Sequence, residues 1–361
     1  MSDSDAPDSA TARANIVGVG LIGGSIGLAL RRAGWHVSGS DDDRARVDRA
    51  LELGVLDGVG LDPDAEITFI ATPVRAIAEA AGKALAATTG LVTDVGSVKA
   101  PIIDAVDDER FVGGHPMAGS EQVGVDGADA DLFTGAVWVI TPTGSTDDAA
   151  YARVRAIVAS LGAEILALPP ERHDEFVAVV SHVPHLTAAS LMRIADDRAD
   201  EHAALLRLAA GGFRDMTRIA SGHPGIWPDI CAENRAAIVA GLDRLIDALG
   251  DARAQVAEHD HDGLLEDLTR ARAARVNLPS RYTRPSELAE IRVPVPDRPG
   301  VLAEVTTLAS ELDVNIADVE IVHSSEGVQG VVILLVEAST VGGFRERLTE
   351  RGFRPSVRRL S

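Results

Sequence analysis

Cysteine occurs once in the 361 residues, at Cys231, which excludes an intramolecular disulfide and any thiolate cluster around a metal. Aromatic side chains make up only 3% of the chain, so a core has to be built from the aliphatic residues that dominate its 46% hydrophobic content. No apolar run approaches the ~20 residues that a bilayer crossing requires, so no membrane partner is expected. Positive charge is also scarce: 34 Lys and Arg stand against 55 Asp and Glu, a formal net charge of −21. Nucleic acid and anionic lipid would be repelled, and neither is expected as a partner. The opening residues, 1–13, are acidic and polar without the apolar segment of a signal peptide; they read as a disordered tail, and the expected location is cytoplasmic. The shortage of cations carries a corollary. An anionic substrate would have to be met by a local cationic site working against the field of the whole molecule.

What the chain does have is a strand that runs straight into a glycine turn, Asn15-Ile-Val-Gly-Val-Gly-Leu-Ile-Gly23. Gly18, Gly20 and Gly23 make the G-x-G-x-x-G spacing of a dinucleotide site, with Leu21 and Ile22 opening the helix whose N–H groups face the phosphates. A second short strand ends at Asp41, 18 residues beyond Gly23, where an acid holds a ribose hydroxyl. A carboxylate there repels a 2′-phosphate, so NAD is expected over NADP, although Arg44 close by weakens that preference.

Strand and helix patterns then alternate to about residue 168: Ile67–Ala71 running into Thr72, Leu91–Val95 opening into Gly96-Ser-Val-Lys99, Phe111-Val112 leading to a loop at His115, and strands near 136–141 and 164–168. Alternation of this kind implies a parallel, doubly wound α/β sheet of Rossmann type over residues 14–168, whose loops at Gly18, Thr72, Gly96 and His115 converge on one crevice. From 169 to 280 the period is helical, an all-α domain. A proline-bearing linker over 276–285 precedes a third unit, 288–361, whose βαββαβ order is that of a ferredoxin-like sandwich.

A dinucleotide site implies hydride transfer, and a hydride leaving an alcohol carbon needs a base for the hydroxyl proton. His115, between glycines and Pro116, is the candidate. His182 and His185 share a helix face at i, i+3, which suits either a paired role in the site or a core helix carrying one satisfied histidine. Arg214 and Arg218, one turn apart around Asp215, form either a carboxylate clamp or a surface pair of little consequence. Ser97 and Lys99 at a helix start offer a hydroxyl and a charge to the crevice, unless Lys99 is a solvated surface residue. The run Glu258-His-Asp-His-Asp262 fans its side chains around a helix and is taken as a solvated face; no metal is expected.

Taken together, Val17–Ser25, Asp94–Lys99, Gly114-His-Pro-Met-Ala-Gly-Ser-Glu121, Ser181-His-Val-Pro-His185, Phe213–Ala220 and Trp227-Pro-Asp-Ile230 resemble the prephenate dehydrogenase family over about residues 14–280. The resemblance implies an NAD-dependent oxidative decarboxylation of prephenate to 4-hydroxyphenylpyruvate in tyrosine biosynthesis, carried out by a homodimer joined through the helical domain. It implies that His115 takes the ring hydroxyl proton, that Arg218 grips a substrate carboxylate with Asp215 in support, and that Ser97, Glu121 and His185 surround the substrate. Separately, Val295-Pro-Asp-Arg-Pro-Gly-Val301 followed by Asn315-Ile316 resembles an ACT domain, which implies an amino-acid effector, tyrosine first, held by Asp297, Gly300, Asn315 and Ile316. The alternatives are an arogenate dehydrogenase, a C-terminal module that binds no effector, and a non-catalytic amino-acid sensor on a dehydrogenase scaffold.

Overall fold

The computed structural model describes residues 11–120, 122–199, 206–276, 288–296, 298–323 and 329–359. The chain forms two units, one ending at Ile246 and one beginning at Asp247.

The first unit is built on an eight-stranded sheet. Its elements are β1 (Arg13–Val17), α1 (Leu21–Arg32), β2 (His36–Ser40), α2 (Arg44–Glu52), β3 (Gly58–Val59), β4 (Ile67–Ile70), α3 (Ile77–Ala87), β5 (Leu91–Asp94), α4 (Ala100–Ala105), β6 (Phe111–Pro116), β7 (Val137–Thr141), α5 (Asp148–Ser160) and β8 (Glu164–Ala167), in the order β3-β2-β1-β4-β5-β6-β7-β8. β1 lies at the switch point where the winding reverses, the place at which such sheets bind ligands. β4, Ile-Thr-Phe-Ile, is buried at every position, as a central parallel strand covered on both faces must be. Aliphatic residues fill the core as expected, with one aromatic knot in which Trp138 meets Phe133 at 5.0 Å and Phe69 at 6.4 Å between ring centroids.

Two expectations are corrected here. The sheet is not wholly parallel, because β6 and β7 pair antiparallel. A parallel pair needs a crossover, usually helical, and the described residues of 117–136 carry only a short 3₁₀ turn at Val125–Gly127, so the chain returns beside β6 in the opposite sense. Nor does His115 sit on a loop; it lies in β6, opposite Val139. Gly113 and Gly114 suggested a loop, but they are packing residues. A Cβ on Gly113 would come 2.4 Å from Thr141 Oγ1, and one on Gly114 would come 2.7 Å from the Asp94 carbonyl oxygen.

Helices complete this unit: α6 (Pro170–Val177), a π turn (Ala178–His182), α7 (Val183–Ala199), α8 (Gly211–Thr217), 3₁₀ turns at Arg218–Ser221 and Pro224–Ile226, α9 (Trp227–Glu233) and α10 (Arg235–Ala257), the last running past the division. Pro184, in the first turn of α7, cannot donate to the carbonyl four residues back, and the widened turn stands immediately before it.

The second unit holds α11 (His261–Val276) and then β9 (Leu288–Pro296), α12 (Val301–Glu311), β10 (Ile316–His323), β11 (Gln329–Glu337), α13 (Val341–Glu350) and β12 (Ser356–Arg359), with an antiparallel sheet ordered β10-β11-β9-β12. Alternate residues of β9 (Ile291, Val293, Val295) and β11 (Val332, Leu334, Val336) point inward onto Val305, Leu308, Phe344 and Leu348. The run Glu258–Asp262 is not wound around one helix: Glu258 to Asp260 form the turn between α10 and α11, with His259 at φ +58°, and His261 and Asp262 open α11. No group of side chains placed to hold a metal ion is found among the described residues. None of their helices is long and apolar enough to cross a membrane. The expected linker at 276–285 lies, apart from Val276, outside the described residues.

Candidate active site

A cleft of about 830 Å³ opens at the carboxyl ends of β1, β4, β5 and β6 and is closed on its far side by the π turn and α9. Its first wall is the glycine turn. Gly18 has φ +93°, and a Cβ there would come 2.5 Å from the Ala71 carbonyl oxygen; a Cβ on Gly23 would come 2.0 Å from the Gly18 carbonyl oxygen. These two glycines are demanded by the chain itself. At Gly20 a Cβ would meet nothing within 4 Å, so the open approach there serves a ligand. The start of α1 has no side-chain cap and no acid in its first turn, which leaves its N–H groups for a pyrophosphate. Gly20, Leu21, Ile22 and Thr72 all line the cleft, and the Thr72 hydroxyl is buried without a partner among the described residues.

Asp41 closes this end. Its carboxylate accepts from the N–H groups of Val19 (2.8 Å) and Asp43 (2.9 Å), which fixes it beside the turn. The arginine on its side is Arg46, 3.5 Å away, and not Arg44, which pairs with Asp48. These residues fit a dinucleotide.

Under the other end of the cleft lies a buried polar network. Asp94 accepts from the N–H groups of Gly114 (3.1 Å) and Gly96 (2.8 Å), and Lys99 Nζ donates both to Asp94 and to the Gly114 carbonyl oxygen (2.8 Å). The residue before His115 is thus held by both of its backbone polar groups. Lys99 is fully buried, neither in the crevice nor on the surface; burial pulls its pKa down while Asp94 pulls it up. Removing either partner would strand a buried charge at a cost of about 3–5 kcal/mol.

The imidazole of His115 is held as firmly. Asp174 accepts from the N–H groups of Lys99 (2.8 Å) and Ala100 (2.9 Å) and lies 2.8 Å from His173 Nδ1; His173 Nε2 lies 2.8 Å from His115 Nδ1. A carboxylate only accepts, so His173 donates from Nδ1 and accepts at Nε2, and His115 donates from Nδ1. The lone pair of His115 is therefore on Nε2. Burial first, then His173 and Lys99, holds its pKa well below the ordinary histidine value, so the ring is neutral at pH 7. A neutral imidazole with a fixed tautomer is what a general base requires.

The helical wall supplies His182, Trp227 and Ile230. His182 stands edge-on to Trp227, while His185 stacks on the same ring at 3.7 Å and is one layer removed from the cleft. Arg75, just after β4, reaches across to Asp229 (3.2 Å) and Glu233 (3.5 Å) on α9 and ties the two walls together. Arg218 and Asp215 are exposed and do not line the cleft; Arg218 lies in the 3₁₀ turn after α8 and not on the helix with Arg214. Ser97 does line it. Glu121 lies outside the described residues.

Comparison with known proteins places this arrangement. A model of the prephenate dehydrogenase nucleotide-binding domain matches residues 26–167, and one of the prephenate dehydrogenase dimerization domain matches 169–270. The chain belongs to the prephenate dehydrogenase family. It is 34% identical over 334 residues to the prephenate dehydrogenase of Bacillus subtilis, covering 88% of this chain and 90% of that protein. Among solved structures it resembles the prephenate dehydrogenase of Aquifex aeolicus in complex with hydroxyphenyl propionate and NAD+, at 30% identity and TM-score 0.70, over 74% of this chain and 99% of that one. The Synechocystis arogenate dehydrogenase is similar at 31% identity and TM-score 0.63, over 73% and 98%.

In this prephenate dehydrogenase relative, sequence reasoning missed His173, Asp174 and Asn234. The signal for two of them was present. Pro170, His173, Asp174, Val177 and Ala178 recur at i, i+3, i+4, i+7 and i+8, a buried stripe in which the histidine and aspartate occupy core positions.

Proposed function

We propose that the chain oxidatively decarboxylates prephenate with NAD, and that His115 Nε2 is the atom that takes the proton of the ring hydroxyl. NAD, when bound by the glycine turn, Thr72 and Asp41, supplies the hydride acceptor. As the carbinol C–H bond breaks, the O–H proton passes to His115, whose Nδ1–H bond to His173 and through it to Asp174 steadies the imidazolium that forms. The ring carboxylate then leaves as carbon dioxide, because the electron pair it releases completes an aromatic ring. His115 returns its proton to the phenolate oxygen. Ser97 stands within the cleft to orient the hydroxyl. Arg218, with Asp215 three residues before it in support, is assigned to a substrate carboxylate, the local cation that so acidic a chain needs, and Glu121 and His185 are assigned to the surroundings of the substrate. The observation that carries this reading is the Asp174–His173–His115 relay, which fixes one basic nitrogen beside a dinucleotide turn.

We read the working form as a homodimer, supported by the match to a dimerization domain and by large apolar side chains left exposed on the helices, Ile194 on α7 and Val239 on α10 among them. We read residues 288–361 of the second unit as an ACT module. Its βαββαβ order supports this, as does a cavity of about 250 Å³ beside Gly300, lined also by Val295, Arg298, Leu302 and Ile321. Asn315 is exposed and Ile316 packs against the core, neither lining that cavity, and Asp297 lies outside the described residues. Tyrosine is the effector we would try first.

The test is the initial rate of NADH formation with prephenate beside arogenate at equal concentration. A fast rate with prephenate alone upholds the reading, and a fast rate with arogenate alone transfers it to that substrate. No rate with either would move the chain to the sensor reading.

A further inference from the structure

Among the described residues, His182 is the one buried polar side chain of the cleft that the proposed reaction leaves unused. It is 1% exposed, its ring lines the cleft, and its Nε2 has no hydrogen-bond partner among the described residues. An orphaned buried polar atom costs about 1–3 kcal/mol, so one at a ligand site calls for a partner. The tautomer follows from its neighbours. Asn234 Nδ2 donates to the Asp174 carbonyl oxygen at 2.9 Å, which fixes the orientation of the amide, and the same nitrogen lies 3.3 Å from His182 Nδ1. An amide nitrogen only donates, so Nδ1 accepts and the proton of His182 is on Nε2. Burial pushes the pKa of the ring down to about 4, with Asp174 pulling the other way and His173 adding to the fall. What lines the cleft is thus a neutral N–H donor in search of an acceptor.

We propose that His182 Nε2–H donates a hydrogen bond to an oxygen of the reacting pair, either a substrate carboxylate or the carboxamide of the nicotinamide ring, and thereby fixes its orientation. This rests on the prephenate dehydrogenase reading. A neutral donor has a chemical advantage over an arginine at the ring carboxylate, since a carboxylate paired with a cation is stabilised against loss as carbon dioxide. His182 orients without holding the charge in place.

Two substitutions in the full chain separate this role from a structural one. His182→Gln carries an amide N–H to the Nε2 position, while His182→Asn reaches only the Nδ1 position and keeps the contact with Asn234. The expected result is a loss of about ten- to hundredfold in kcat/KM for the Asn variant, with the Gln variant within a few fold of wild type. Calorimetric titration with NAD+ alone assigns the oxygen: unchanged affinity in the Asn variant points to the substrate, and weakened affinity points to the carboxamide. Equal activities in the two variants, or Asn outperforming Gln, would overturn the proposal. If the wild-type protein forms no NADH from prephenate, the reaction reading fails on its own account, and the NAD+ titration alone decides for His182.

Discussion

His115 and Arg218 are assigned the two halves of one reaction, and the chain builds them in opposite ways. His115 is fixed from three sides: by its strand, by Asp94 and Lys99 gripping the residue before it, and by His173 at its ring. Arg218 stands on α8 and two 3₁₀ turns that contain no buried residue at all. Little apolar burial means low local stability, so this segment can adjust at small cost whereas the floor beneath His115 cannot. The contrast suits the tasks. Proton transfer fails if the base is misplaced by an ångström, while an anion can be captured by an arginine that arrives with it.

Three measurements would break or sharpen that contrast. The largest effect belongs to His115→Asn, which removes the proposed base and leaves the glycine turn untouched; kcat should fall by about 10²–10⁴ while NAD+ affinity by calorimetry stays as it was. An unchanged rate would mean that the rigid half of the site has been misread. Next comes Arg218→Ala, expected to raise the KM for prephenate roughly thirtyfold, about 2 kcal/mol, at the low end for a charge pair because the arginine starts out exposed. A fall in kcat with KM unmoved would place Arg218 among the reacting groups and erase the division of labour.

The smallest effect is on stability. His115 and His182 are held neutral by burial, so below the ordinary histidine pKa the unfolded chain binds protons that the native chain refuses. Stability should therefore be complete above about pH 6.5 and decline by about 1.4 kcal/mol per pH unit per histidine as pH falls, for His182 down to about 4. Urea midpoints across that window should show a shallower slope for His182→Gln and the parent slope for Arg218→Ala. Identical slopes in all three proteins would show that burial does not govern these rings.

Much of this site can be read from the sequence because its demands are local. A glycine turn between a strand and a helix, and an acid at the end of the next strand, are set by neighbours within a few residues. His115 was found for its setting, yet the same two glycines pointed to a loop, because sequence cannot distinguish a glycine needed for its backbone angles from one needed for lack of a side chain. The rest of the floor depends on partners far apart in the chain. Lys99 is buried only because Asp94 and Gly114 meet it there, and Asp174 is held by the start of α4, 74 residues earlier. His173 and Asp174 were hidden by the exposed Glu171, Arg172 and Glu175 around them, which average the segment into a surface helix. Arg218 illustrates a different limit: its type suits an anion, but the turn that removes it from the face of Arg214 has no strong signal of its own.

The π turn at Ala178–His182 can also be seen as a matter of counting. From Pro170 to Ala199 the chain winds as one continuous helix that is a residue too long for regular α geometry at this point. Deleting a single residue ahead of His182 would let the helix close up with ordinary hydrogen bonds and would remove the wide turn on which the imidazole is carried. At this one bend the number of residues, and no special amino-acid type, sets how the backbone delivers His182 to the wall of the cleft.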